Sequence, residues 1–145
     1  MSGSIVIYKH GEKHGSVATS SFVFDVIWRI LLERAHQKPF ESDAEYLRWL
    51  SWREKSYDCF LDLRKCQRAT LEAIRELMLQ HADSNHPYWE SYYRDNYAAI
   101  NPGIEPAKRA EEERLVQLWQ AWALKAMTKV AEAIDERLEL ESAVT

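Results

Sequence analysis

The sequence predicts an all-α protein: an elongated helical bundle of four helices, two long and two short, preceded by a short extended N-terminal arm. Three observations lead there. Residues 42–81 run for forty positions without Gly or Pro, and a helix of that length spans about 60 Å. A second periodic stretch, from Ala107 to about Glu141, nearly matches it in length. Only four Gly and four Pro occur in the chain, and they fall between the periodic runs, where breakers separate helices.

Composition sets the outer limits. At 145 residues, with 46% hydrophobic and 12% aromatic content, the chain is large enough to bury one core and too apolar to remain disordered. The expected division is an arm over 1–19, a single bundle domain over 20–141 and a disordered tail over 142–145. The formal net charge is −4, and the stretch 42–81 is neutral, with seven basic and seven acidic residues. No segment has the strongly basic balance of a typical non-specific nucleic-acid binder. Cys59 and Cys66 sit on the same predicted helix, roughly 10 Å apart by helical rise and out of disulfide reach. Two isolated thiols suit a reducing compartment. The longest apolar run, Phe22–Leu32, is interrupted by Asp25 and Arg29, so no membrane span is expected. No signal peptide opens the chain, and a cytoplasmic location is expected.

The arm contains the β-prone run Ile5–Tyr8, followed by a stretch in which the triplet KHG occurs twice. It reads as an arm on the body, or as one strand of a small hairpin. His10 and His14, with Glu12 between them, suggest metal ligands, but Gly11 and Gly15 argue against the helix that would aim both rings together. No metal site is expected.

The first helix is capped by Ser20 or Ser21 and ends before Pro39. Apolar residues from Phe22 to Leu32 wrap nearly all round it, which makes it central to the bundle. The exception is the column Asp25, Arg29, Glu33, whose alternating charges four apart support the helix and mark its solvent edge or an internal ion pair. After the hinge at Lys38-Pro39-Phe40-Glu41, this helix should lie antiparallel on the first half of the next.

The long helix opens with Ser42 as N-cap and Glu45 closing a capping box. Its heptad seam is apolar at the ends (Tyr46, Trp49, Phe60, Leu63, Ile74, Leu77) and polar in the middle (Arg53, Ser56, Arg64, Gln67, Thr70). That middle is either partly solvated or fixes register with a partner. A short aromatic helix follows Pro87. Trp89, Tyr92, Tyr93, Asn96 and Ile100 share one face, with Tyr88 and Tyr97 to the side; such a face is either a contact surface or a plug for the bundle's open end. The last helix carries the stripe Leu115, Val116, Trp119, Trp122, Ala123, Ala126, Met127, Val130, Ile134 and Leu138.

Chemistry is sparse. There is no nucleophile elbow, Cys-x-x-Cys, His-Glu-x-x-His or Gly-rich cofactor loop, so neither an enzyme nor a cofactor is expected. The leading expectation is a non-enzymatic protein–protein interaction module, as an assembly factor, adaptor or inhibitor would be, docking long helical faces onto itself or another protein. Its expected contact residues are Leu71, Ile74, Met78, Tyr88, Trp89, Tyr92 and Tyr93, left under only a short helix and suited to a homodimer. The alternative is a subunit of a nucleoprotein complex, lining DNA or RNA with Trp52, Arg53, Tyr57, Arg64, Arg68 and Arg75 on one helical face. Against it, Glu54, Asp58, Asp62, Glu72 and Glu76 run along the same stretch.

Overall fold

The computed structural model describes residues 2–56, 58–97 and 103–144, apart from the side chains of Tyr97 and Val144. The fold is mixed α/β, not the all-α bundle of the sequence reading: a three-stranded sheet packs with five helices. Strand β1 (Ser2–His10) and strand β2 (Lys13–Ser20) form an antiparallel hairpin, and β3 (Phe60–Asp62) pairs parallel to the other edge of β1. The repeated KHG segment is therefore a hairpin, with Lys9 opposite His14 and His10 opposite Lys13. Gly11 takes φ +63° at its corner, a conformation that side-chain-bearing residues rarely adopt.

The hairpin is part of the core rather than an arm. Ile5, Ile7, Val17 and Leu61 are all buried on one face of the sheet. Pairing runs in register from Ser2 opposite Ser20 to Val6 opposite Ser16, then slips by one residue so that Tyr8 faces Gly15. Strict alternation would turn Tyr8 away from the core; the bulge returns it to the buried face. Its ring occupies the space that a Cβ at Gly15 would need, and its hydroxyl donates to Glu136 Oε2 at 2.6 Å.

The helices are α1 (Ser21–Glu33), α2 (Ala44–Ser56), α3 (Arg68–His81), α4 (Tyr88–Tyr97) and α5 (Pro106–Val144). Ser20 caps α1, accepting from Val23 N–H at 3.2 Å. α1 packs mainly on α5 and the hairpin rather than along the next helix, which it meets through side chains: Trp28 Nε1 donates to Leu50 O at 3.0 Å, and Asp25 lies 3.6 Å from Arg53. The predicted long helix, however, is two helices with a strand between them. Ser56 Oγ bonds back to Trp52 O and accepts from Asp58 N–H, offering the backbone a turn in place of another helical bond. Beyond it the chain runs extended along β1, where Ser4 N–H donates to Cys59 O at 2.9 Å and Leu63 N–H to Val6 O at 2.7 Å. The polar middle of the predicted seam marks this break.

Asp43, buried though charged, replaces Ser42 as the helix cap. One oxygen accepts from Tyr46 N–H at 3.1 Å, inside the first turn of α2. The other accepts from Gln67 N–H at 2.9 Å and from the Thr70 hydroxyl at 2.6 Å, at the start of α3. One carboxylate thus closes two helix N-termini, where partial positive charge stabilises it.

The true axis is α5, about 58 Å long for its 39 residues. It runs through Val144, so the tail expected over 142–145 is helical as far as it is described. Tyr8–Glu136 ties β1 to it, Arg75–Asp135 at 2.5 Å ties α3, and the Phe22 and Trp119 rings at 4.8 Å tie α1. Arg137 is the deepest tie. Its guanidinium donates to the carbonyls of Ile7 and Leu63 at 2.7 Å, to Arg64 O at 2.8 Å and to Glu141 Oε1 at 3.0 Å. Among the described residues, no helix is long and apolar enough to cross a membrane.

Candidate interaction surface

The first half of α5 is gripped from one side. Val116, Gln120 and Ala123 are buried, Tyr92 donates its hydroxyl to Val116 O at 3.2 Å, and Tyr93 donates to Gln120 Oε1. The other side of the same turns is open. Leu115, Leu118 and Trp122 are 43%, 41% and 47% exposed. Their spacing of three and four places them in one row along the helix. Glu111 continues that row toward the N-terminus, and Lys125 and Lys129 continue it beyond Trp122. All three are exposed, and among the described residues none has an ion-pair partner. Beside Trp122, a shallow groove of about 300 Å³ runs between α5 and the Ala18–Ser20 end of β2.

A second concavity, a cleft of about 690 Å³, lies between α1 and α4. It is lined by Asp25, Arg29, Arg34, His86, Tyr88 and Ser91 among others. Its chemistry is locally committed. Asp25 and Arg29 pair at 2.7 Å. His81 stacks on His86 with ring centres 4.1 Å apart, and its Nδ1 is 2.8 Å from Leu77 O, so that nitrogen carries the proton. Burial holds His81 below the ordinary histidine range and raises the Tyr88 phenol. His86 Nδ1 accepts from Tyr88 N–H. Among the described residues, no group of three or more His, Cys, Asp or Glu side chains is arranged to hold a metal ion. Of the free thiols, Cys66 is pushed up to about 12, first by burial, and at neutral pH it is an inert core thiol.

No protein-family model matches the chain, and neither a curated protein nor a solved structure matches it.

The residues expected to meet a partner lie mostly inside the chain. Leu71, Ile74 and Met78 are completely buried, on the helix that packs along α5. The sequence places them with the last helix on one side and only a short helix on the other; in the folded chain α3 packs along α5 and all three are enclosed. Trp89 is buried with its indole N–H donated to His81 O at 2.9 Å, and Tyr92 is buried against Val116. Tyr88 and Tyr93 are half-buried. The aromatic helix thus plugs the space between α1 and α5; Ile100 and the Tyr97 side chain lie outside the described residues.

The arginine face does not exist as one surface, because the helix that would carry it is broken. Trp52 and Arg53 are on α2, Arg64 in the connection, and Arg68 and Arg75 on α3; Tyr57 lies outside the described residues. Trp52 is exposed. Arg53 is turned inward over Trp28 toward Asp25. Arg64 grips Asp62 with two bonds, Arg68 pairs with Glu72, and Arg75 spans Glu76 and Asp135. Three of the four guanidiniums answer a carboxylate within 3 Å, and Arg53 lies 3.6 Å from another.

The apolar stripe expected on this helix includes Leu115 and Trp122 but not Leu118, whereas all three are exposed. The sequence carries a signal of this. Positions 115, 118 and 122 form a second apolar row, offset from 116, 123, 127, 130 and 134, and one helix face cannot hold both.

Proposed function

We propose that this chain is a non-enzymatic protein–protein interaction module that docks through the outer face of α5. The observation that carries this reading is the row Leu115, Leu118, Trp122, three large apolar side chains exposed in line on the longest helix. Single exposed apolar residues are ordinary, whereas aligned ones rimmed by charge mark contact surfaces. Trp is also among the residues that most often dominate interface energetics. The row sits on a helix fixed by the sheet, α1, α3 and α4, so little order has to be gained on binding. The division of the arginines among three elements, each near a carboxylate, removes the support for a nucleic-acid groove.

Photo-cross-linking in cells tests the proposal. A photoreactive residue replacing Leu118 should give discrete protein adducts that one replacing the exposed Glu54 does not give. Trp122→Glu should abolish those adducts. If Leu118 cross-links no better than Glu54, the reading fails.

A further inference from the structure

The row on α5 has a polarity that specifies its occupant. Read from the N-terminal end it runs acidic, apolar, basic: Glu111, then Leu115, Leu118 and Trp122, then Lys125 and Lys129. All six side chains are exposed. In heptad terms Leu115, Trp122 and Lys129 occupy one seam position, and Glu111, Leu118 and Lys125 the other. Two helices packed antiparallel bring the first kind of position opposite the second. A surface ordered acidic–apolar–basic is its own complement under the twofold rotation that makes two such helices antiparallel. Closed twofold pairs use this kind of self-complementary patch.

Resting on the interaction reading above, we infer that the partner on this face is a second copy of the same chain, with the two α5 helices antiparallel and crossing at Gln120. This register alone among the seam-matched ones sets Leu118 against Trp122 of the other copy twice, at the centre, and Glu111 against Lys129 twice, at the ends. Leu115 then meets the methylene stem of Lys125, whose ammonium reaches solvent. Sliding by one heptad toward the N-terminus sets Lys108 against Lys125 and Glu111 against Trp122, and sliding the other way parts the apolar residues. Gln120 itself stays turned inward, bonded to Tyr93, so crossing at its level disturbs no core contact. The shallow groove beside Trp122, between α5 and the Ala18–Ser20 end of β2, leaves space for the exposed first turns of the other copy's α5.

Light scattering and sedimentation of the full chain decide the matter. Wild type at micromolar concentration should show twice the chain mass of 17.0 kDa. Trp122→Glu should return it to a single chain with an unchanged circular dichroism spectrum. Lys129→Glu and Glu111→Lys should each weaken self-association several-fold, and the double exchange should restore it, because both end pairs are then re-formed with reversed sign. A monomeric wild type overturns the inference. So does a dimer indifferent to Trp122→Glu, or one that the double exchange fails to restore. Foreign adducts from position 118 with a monomeric wild type would end self-pairing while leaving the interaction reading standing; the absence of any adduct would end both.

Discussion

At the scale of single residues, the decisive groups are charges placed where backbone needs them. Arg137 is the clearest. An arginine near the end of a long surface helix is ordinarily solvated, yet this one is buried and answers carbonyls from β1 and from the segment after β3. Its planar fork of donors suits several acceptors at once, which a lysine cannot match. Arg137→Met removes the donors and leaves buried carbonyls unpaired. It should cost on the order of 3 kcal/mol or more. Arg137→Lys should recover only part of the loss. Urea unfolding measures both, and a neutral Arg137→Met would mean that water satisfies those carbonyls.

At the scale of elements, what matters is where helices start and stop. Asp43 links the starts of α2 and α3, which are separated in sequence by the strand that interrupts the predicted long helix. Asp43→Ala should therefore act on two helices together. Loss of a cap costs about 1 kcal/mol each, and the buried Thr70 hydroxyl loses its acceptor, so a total of about 3 kcal/mol is expected. Thr70→Val alone should cost less, and should cost almost nothing further once Asp43 is Ala. Additive losses would show that the two helix starts are not coupled through the carboxylate. By residue type Ser42 and Asp43 cap equally well; the position of α3, whose first turn Asp43 also reaches, decides for Asp43.

At the scale of the whole molecule, acid should loosen the fold near the junction of α3 and α4. Burial lowers the His81 pKa from the ordinary 6.5. Below that value the unfolded chain takes up a proton that folded His81 still resists, so stability is complete above it and falls as pH drops. The unfolding free energy should accordingly decline as pH falls through 6.5, and the His81 ring should titrate below the ordinary histidine range by NMR. Asp62, held below the usual carboxylate range chiefly by its bond to Arg64, adds its loss only in stronger acid. Constant stability across the histidine window, or an ordinary His81 titration, would contradict this account.

The sequence by itself determined the pieces whose signals are local. The apolar girth of α1, a serine cap at Ser20 or Ser21, the extent of α5 and the turn chemistry around Pro39 and Pro87 all follow from side-chain period, caps and breakers within a few residues. Only the tertiary structure decided the sheet. Strand β2 carries one large apolar residue, Val17, and a glycine, Gly15, within its length, so nothing local distinguishes it from a solvated arm. The three residues of β3 are extended because the free edge of β1 has backbone groups to pair, a demand that originates more than fifty positions away. The same long-range pairing broke the predicted helix, divided its arginines among three elements and moved the long axis of the molecule to α5. It also buried Leu71, Ile74 and Met78. The exposed row on α5 was legible as a second apolar stripe, but which of two stripes faces inward is settled by what packs against the helix, not by the helix.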